Sequence, residues 1–288
     1  MAHIYTPLRY PGGKTKYAGL LESVIDANGL RGCTYAEPFA GGAGAALALL
    51  YRGVVSRVLL NDVDRRVCAF WRAALNHTKV FLRKLDDVPI TMDEYQRQRD
   101  VYSDGRGTDL KLGFSFFYLN RCNRSGILDA GPVGGKNQNG TYKLDARFKK
   151  DRLKRKLLRL ADFRDKITIS QLDALDFLNQ LDDSDDSGDV FVYLDPPYYG
   201  QGQYLYLNHY QHTGHASLAH GLGLVAVPWL ISYDDVAETR NLYRDYRQYK
   251  RKLRYTAQEH KGAAELIIVS SRVHVDSIAE NVGLTGAA

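Results

Sequence analysis

Apolar and polar positions along this chain follow two periods, and the order of those periods predicts its layout. Cys33–Glu37 is a short β-like run closed by Pro38. Gly41, Gly42 and Gly44 follow, then the helix-forming stretch Ala45–Tyr51. Arg57–Asn61 reads as a second strand. From Asp64 to Leu75, the residues Val67, Phe70, Trp71 and Ala74 recur at helical spacing. A strand–helix–strand–helix start predicts an α/β fold with a doubly wound parallel sheet. The next strand of this type, Ile167–Ser170, comes far later than a crossover of about a dozen residues requires. The spacing therefore predicts a domain inserted at 76–166 into a host unit formed by 1–75 and 167–288.

The insert contains the aromatic run Phe114–Asn120 and a Gly- and Asn-rich, loop-like stretch from Arg121 to Tyr142. It closes with a basic helix predicted over Arg147–Phe163, whose apolar stripe is Leu153, Leu157 and Leu160. Beyond it the pattern predicts a helix over Gln171–Leu181 and an acidic turn from Asp182 to Asp189. Val190–Leu194 is a continuous apolar run, as in strands buried on both faces. Trp229–Tyr233 reads as a fifth strand followed by a helix, and Leu253–Gln258 with Leu266–Ser271 as a closing hairpin.

Composition narrows the classes. Of 288 residues, 44% are apolar and 25% charged, which excludes wholesale disorder, and the net charge of +6 suits a polyanionic partner without proving one. Three cysteines without metal-ligand spacing argue against a disulfide scaffold or zinc ribbon and fit a reducing compartment. The apolar stretch Leu222–Ile231 is broken by Pro228 and is short of the ~20 residues of a membrane span. Met1–Tyr10 lacks the apolar core of an export signal, so a cytoplasmic location is expected.

Four motifs carry candidate chemistry. The turn Pro38–Gly44 opens a helix after a strand, where glycines admit a ligand to the backbone and the helix N-terminus favours an anion. It lacks the third glycine of a dinucleotide fingerprint, since Leu47 stands there, so a nicotinamide cofactor is disfavoured. Asp62 ends the second strand, where an acid accepts from both hydroxyls of a ribose; a helix cap is the alternative, and Asp64 serves that equally. Arg9–Thr15 resembles a phosphate-binding loop but has Leu8 where that template needs glycine, and no strand precedes it. Asp195-Pro196-Pro197-Tyr198 ends the buried strand with a carboxylate, a stiffened peptide and an aromatic face. Two acceptors and a flat ring suit an amino group on a planar base. His209, His212 and His215 recur every third residue, with no cysteine or carboxylate joining them, and predict polar loop positions and no metal site.

These residues resemble the Dam-like, D12 class DNA adenine-N6 methyltransferases. The resemblance rests on RYPGGK (Arg9–Lys14), EPFAGGAG (Glu37–Gly44), LNDVD (Leu60–Asp64), FFYLNR (Phe116–Arg121), Asp173, DPPY (Asp195–Tyr198), SYDD (Ser232–Asp235) and ELIIVSS (Glu265–Ser271), in the family's order. It implies a Rossmann-like methyltransferase sheet with an inserted DNA-recognition domain, and S-adenosylmethionine as cofactor. By the same resemblance, Phe39, Gly41 and Gly42 line the cofactor, Tyr10 and Lys14 close over it, Asp62 holds its ribose and Asp173 its adenine. Glu37, Pro38 and Asp195 complete that site. Asp195, Pro196, Pro197 and Tyr198 handle the target, with Asp195 and the Pro196 carbonyl gripping the amine of an adenine flipped from duplex DNA and Tyr198 stacking on it.

The insert is then the DNA-reading segment, with Arg121, Asn123, Arg124, Lys136, Asn137, Gln138, Asn139 and Tyr142 competent for bases or phosphates. Two basic runs, Arg147–Arg159 and Arg244–Arg254, are either solvated faces or phosphate contacts. The family's Asn before the hairpin glycine is replaced in Cys122-Asn123-Arg124-Ser125-Gly126, so base-reading contacts do not transfer. Gly214 stands where the family often has an acid before His215. A cytosine-N4 or RNA methyltransferase, and an inactive DNA-binding module, are the rival readings. The resemblance further implies a restriction endonuclease partner or a phage setting, and a monomer or weak dimer.

Overall fold

The residues that predict strands do so because they are apolar on alternating sides. The computed structural model describes residues 5–10, 13–182, 189–200, 211–252 and 264–287. Its strands are β1 (Thr34–Glu37), β2 (Arg57–Asn61), β3 (Ile167–Ser170), β4 (Val190–Leu194), β5 (Trp229–Asp234), β6 (Arg247–Lys252), β7 (Ala264–Val269) and β8 (Leu284–Gly286). They form one sheet in the order β3-β2-β1-β4-β5-β7-β6-β8. Strands β1 to β5 pair in parallel, and β7, β6 and β8 continue the sheet antiparallel. This is a mixed α/β, Rossmann-like sheet.

The period of two is visible in β1 and β4: Tyr35, Phe191 and Tyr193 enter the core of one face, and Ala36, Val192 and Leu194 that of the other. The first face is covered by α1 (Ala18–Ala27), α2 (Gly44–Tyr51) and α3 (Arg65–Asn76), which starts at Asp64 because that carboxylate caps Arg66 N at 2.8 Å.

The insert supplies α4 (Thr78–Asp87), α5 (Met92–Asp104), α6 (Asp109–Cys122) and α7 (Lys150–Asp162). The aromatic run lies in α6, a helix buried on nearly every side, so it shows no amphipathic stripe. Its Phe117 stacks on Phe70 of α3 with centroids 5.7 Å apart and meets Phe81 at 5.4 Å and Phe148 at 5.8 Å. A Cβ on Gly113 would lie 2.5 Å from Ala69 O, so glycine is what lets α6 approach α3 this closely. Insert and host therefore share one aromatic core.

On the second face pack α8 (Ala174–Asp182), α9 (His212–Leu222) and α10 (Ala237–Leu242). Three expectations shift here. Helix α8 begins at Ala174, because Asp173 caps Leu175 N at 2.9 Å and Leu172 N is held by Asn61. The basic helix begins at Lys150, after a 3-10 turn over Leu144–Arg147. The strand partnering β7 is Arg247–Lys252, within the second basic run; its alternation is masked by charge, with Tyr249 turned into the core. Residues 253–258, where that arm was expected, lie outside the described residues, as do Pro11, Gly12 and His209. His212 and His215 sit on α9 and hydrogen-bond Tyr199 at 2.8 Å and Tyr233 at 2.6 Å. No helix among the described residues is long and apolar enough to cross a membrane.

Candidate active site

The carboxyl ends of β1, β2 and β4 meet at one edge of the sheet, where open α/β sheets take ligands. Buried Asn61 ties the turns there together. Its Nδ2 donates to Pro38 O at 3.1 Å and Leu172 O at 3.0 Å, and its Oδ1 accepts from Ser170 Oγ and Leu172 N, both at 2.9 Å. Gly41 adopts φ +42, and a Cβ on it would lie 2.8 Å from the Tyr10 ring, which packs against the turn.

Two carboxylates fasten this turn. Glu37 Oε1 accepts from Tyr35 OH at 3.0 Å and from Ala46 N at 3.1 Å, satisfying an otherwise orphaned amide in the first turn of α2. Burial pushes its carboxyl up to about 8 against those two donors. Asp62 accepts from Gly41 N at 3.0 Å and Asp64 N at 2.9 Å, and burial pushes it up to about 6.

Asp195 follows β4. Its Oδ1 lies 3.2 Å from Lys14 Nζ and accepts from Ser232 Oγ of β5 at 3.3 Å. Ser232 also shares a 2.8 Å hydrogen bond with Tyr193 OH. Lys14 Nζ further donates to Tyr198 OH and to Glu265 Oε1 of β7 at 3.1 Å, and Tyr198 OH donates to the same Glu265 oxygen at 2.8 Å. Burial alone would lower the Lys14 pKa, but Asp195, Tyr193, Tyr198 and Glu265 together hold it well above its ordinary value, so the ammonium stays charged. Burial raises the Asp195 carboxyl, with Lys14 and Ser232 pulling against it.

The glycine turn, Glu37, Asp62, Lys14 and Asp195 all line one cavity of about 1160 Å³. A cationic part of its lining is formed by Arg9 with Arg121, Arg147, Arg152 and Lys156 of residues 76–166, close enough for their fields to act on one another. Asn120 places Arg9 there, clasping its backbone N at 2.8 Å and O at 2.7 Å. Among the described residues none of these five cations ion-pairs with a carboxylate, and burial with the neighbouring cations lowers Arg9, Arg121 and Lys156. Burial, then Arg9, Arg152 and Arg147, bring Arg121 down to about 10; burial, then Arg121 and Arg152, bring Lys156 down to about 8.

The model of the D12 class N6 adenine-specific DNA methyltransferase family matches residues 10–257. The chain belongs to this family. Among curated proteins it is similar to the type II methyltransferase M.MjaIII of Methanocaldococcus jannaschii, at 25% identity over 207 residues covering 66% of this chain and 68% of that one. Among solved structures it is similar to the rRNA methyltransferase aviRa of Streptomyces viridochromogenes, at 15% identity and a TM-score of 0.33, covering 88% of this chain and 84% of that one.

Of the site residues expected from the sequence, the cavity gathers Tyr10, Lys14, Glu37, Phe39, Gly41, Gly42, Asp62, Asp195, Pro197 and Arg121. Pro38, Pro196, Tyr198 and Asp173 lie outside its lining. Tyr198 is bonded to Lys14 and Glu265, and Asp173 is exposed at the start of α8. In the insert, Lys136, Asn137, Asn139 and Tyr142 are exposed, and so is Arg124, whose Nε donates to Ala130 O at 2.7 Å. Asn123 is buried and builds the loop: its Oδ1 accepts from Tyr95 OH at 2.8 Å and its Nδ2 donates to Ile127 O and Leu128 O. Gln138 is a loop builder too, donating to Val133 O at 2.8 Å and accepting from Leu144 N at 2.8 Å. Sequence reasoning quoted Glu265 and Ser232 within motifs and assigned neither a role; the sheet order β4-β5-β7 is what brings them to Asp195.

Proposed function

We propose that this D12 class protein transfers a methyl group from S-adenosylmethionine to the N6 amine of an adenine flipped out of duplex DNA. One observation carries the reading: Asp195 of the DPPY motif and the glycine turn line the same cavity, so donor and acceptor can meet there. The residues present fit a cationic nucleoside. Glu37 and Asp62 are acceptors facing the cavity, and Phe39 offers an apolar ring beside the glycines.

The cofactor supplies an electrophilic sulfonium methyl. The rest falls to the chain. An exocyclic amine is a poor nucleophile because its lone pair is delocalised into the ring. Hydrogen bonds from the amine to Asp195 and to the Pro196 carbonyl draw it toward tetrahedral geometry and aim the lone pair, so that rate comes from orientation and electrostatics. Among the described residues both side-chain donors to Asp195 fall on Oδ1, which leaves Oδ2 for the amine. Tyr198 supplies the stacking face. The cationic part of the cavity takes phosphates beside the flipped nucleotide, and the exposed loop residues Arg124, Lys136, Asn137, Asn139 and Tyr142 read the flanking duplex.

The test is transfer of labelled methyl to duplex DNA, followed by mass spectrometry of the nucleosides. N6-methyladenine is expected. N4-methylcytosine, transfer to RNA alone, or DNA binding with no transfer overturns the reading.

A further inference from the structure

Glu265 lies on the antiparallel part of the sheet, yet its carboxylate touches two of the groups that surround Asp195. Lys14 Nζ stands 3.1 Å from Glu265 Oε1 and 3.2 Å from Asp195 Oδ1, so one ammonium is shared almost evenly between two carboxylates. Tyr198 OH donates to the same Glu265 oxygen at 2.8 Å. Lys14 and Glu265 are nearly buried, with side-chain exposures of 10% and 11%, so their charges are weakly screened. Among the described residues, the buried Glu265 Oε2 has no hydrogen-bond partner. A buried carboxylate oxygen left unsatisfied is destabilising, and a residue serving the fold alone would gain from a neutral side chain there.

From this geometry we infer that Glu265 is a positioning residue: it draws half of the Lys14 charge away from Asp195 and fixes the Tyr198 hydroxyl, keeping Asp195 Oδ2 a strong acceptor. With Glu265 ionised, the trio Lys14, Asp195 and Glu265 carries one net negative charge. Without it, the ammonium falls wholly to Asp195, whose carboxylate then holds the target amine less strongly. The other titratable groups whose fields reach Asp195 are Glu37, Tyr35 and Tyr193, none of which hydrogen-bonds to Lys14; Tyr198 does, and it donates its own proton to the Glu265 oxygen that Lys14 shares. This inference rests on the methyltransferase reading for its kinetic consequence, though not for its electrostatic one.

The experiment compares wild type with Glu265→Gln and Glu265→Asp, the first isosteric and neutral, the second charged but shorter. The Asp195 carboxyl is followed by carbon NMR titration, assigned by its loss in Asp195→Asn, without cofactor or DNA. Removing a neighbouring negative charge favours ionisation, so Glu265→Gln is expected to titrate Asp195 about one unit lower, and Glu265→Asp near wild type. In methyl transfer, kcat of Glu265→Gln is expected to fall about tenfold, with KM for S-adenosylmethionine within twofold of wild type. The acid limb of its kcat profile moves to lower pH, and Glu265→Asp recovers that limb. An Asp195 titration unmoved in Glu265→Gln overturns the inference, even if thermal stability falls, because that is the mark of a structural role. An unchanged kcat in Glu265→Gln also overturns it. A wild type that transfers no methyl defeats the proposed function and leaves the titration to decide the role of Glu265.

Discussion

Replacing Glu37 by Gln separates the stability of the empty protein from its affinity for a cation. The Gln side chain keeps an oxygen for Tyr35 OH and Ala46 N, so both hydrogen bonds survive. What disappears is a carboxyl held at about 8 in the folded chain against an ordinary 4.5. A raised carboxyl stabilises the fold fully below its unfolded value, and that contribution is lost as pH climbs toward 8, because the folded state binds the extra proton. At about 1.4 kcal/mol per unit, the ceiling on the loss between pH 5 and 8.5 is about 4 kcal/mol; water in the cavity reduces this to about 1–3 kcal/mol. Glu37→Gln is therefore expected to melt several degrees above wild type at pH 8.5 and close to it at pH 5, by circular dichroism. Cofactor binding should move the other way. In wild type at pH 7 only about a tenth of Glu37 is ionised, so affinity for a sulfonium ligand should tighten about tenfold between pH 7 and 9. Calorimetric titration should show that slope in wild type and its loss in Glu37→Gln. An equal melting shift at both pH values, or identical binding slopes, would refute the placement of a buried ionisable Glu37 against the cofactor.

Asp195→Ala is expected to abolish methyl transfer while the S-adenosylmethionine Kd stays within about threefold of wild type; near-normal turnover would remove Asp195 from the chemistry. Asp62→Ala removes a charged acceptor and the anchor of Gly41, so cofactor affinity should fall tenfold or more, a loss of about 1.5–3 kcal/mol; an unchanged Kd would exclude it from the ribose site. Arg152→Gln combined with Lys156→Gln should weaken duplex binding and lower the slope of log K against log salt by about two, without changing cofactor affinity. A cofactor defect there would instead mark the cationic part as the seat of the methionine carboxylate. Phe117→Ala empties the centre of the aromatic cluster and should cost about 3–5 kcal/mol by urea unfolding, and a loss below 1 kcal/mol would show that insert and host do not depend on that contact.

How much of this was legible depends on whether the signal was local. Val190–Leu194 declared a doubly buried strand by itself, and the glycines after Glu37 declared a strand-to-helix turn. Helix α6 did not declare itself, since a helix apolar all round has no stripe to read. Strand β6 hid its alternation because Arg247, Gln248, Lys250 and Arg251 surround the buried Tyr249. Asp173 and Asn123 have side chains suited to binding, but whether such a group faces a ligand or a backbone is set by tertiary placement. Asp173 became a helix cap and Asn123 a loop strut. The Lys14–Glu265 contact spans 251 positions and depends on β7 lying two strands from β4, which no spacing within either motif encodes.

The cavity lining holds a pair of carboxyls and a cluster of cations, which suits the two ligands of the proposed reaction. Glu37 and Asp62 fasten the glycine turn, and Arg9 clusters with Arg121, Arg147, Arg152 and Lys156. On the proposed reading a cationic donor draws the carboxyls toward ionisation and is held by them, and a polyanionic strand is held by the cations, so electrostatics sorts the two ligands. Burial strains both groups: it pushes the carboxyls up, and together with the neighbouring cations it pushes Arg121 and Lys156 down. Binding of the proposed ligands relieves each, and they meet at Asp195, which shares the Lys14 ammonium with Glu265. A site preorganised in this way stores its tension in the apo state and releases it on assembly, which is why substitutions that calm either group are expected to stabilise the fold and weaken the function together.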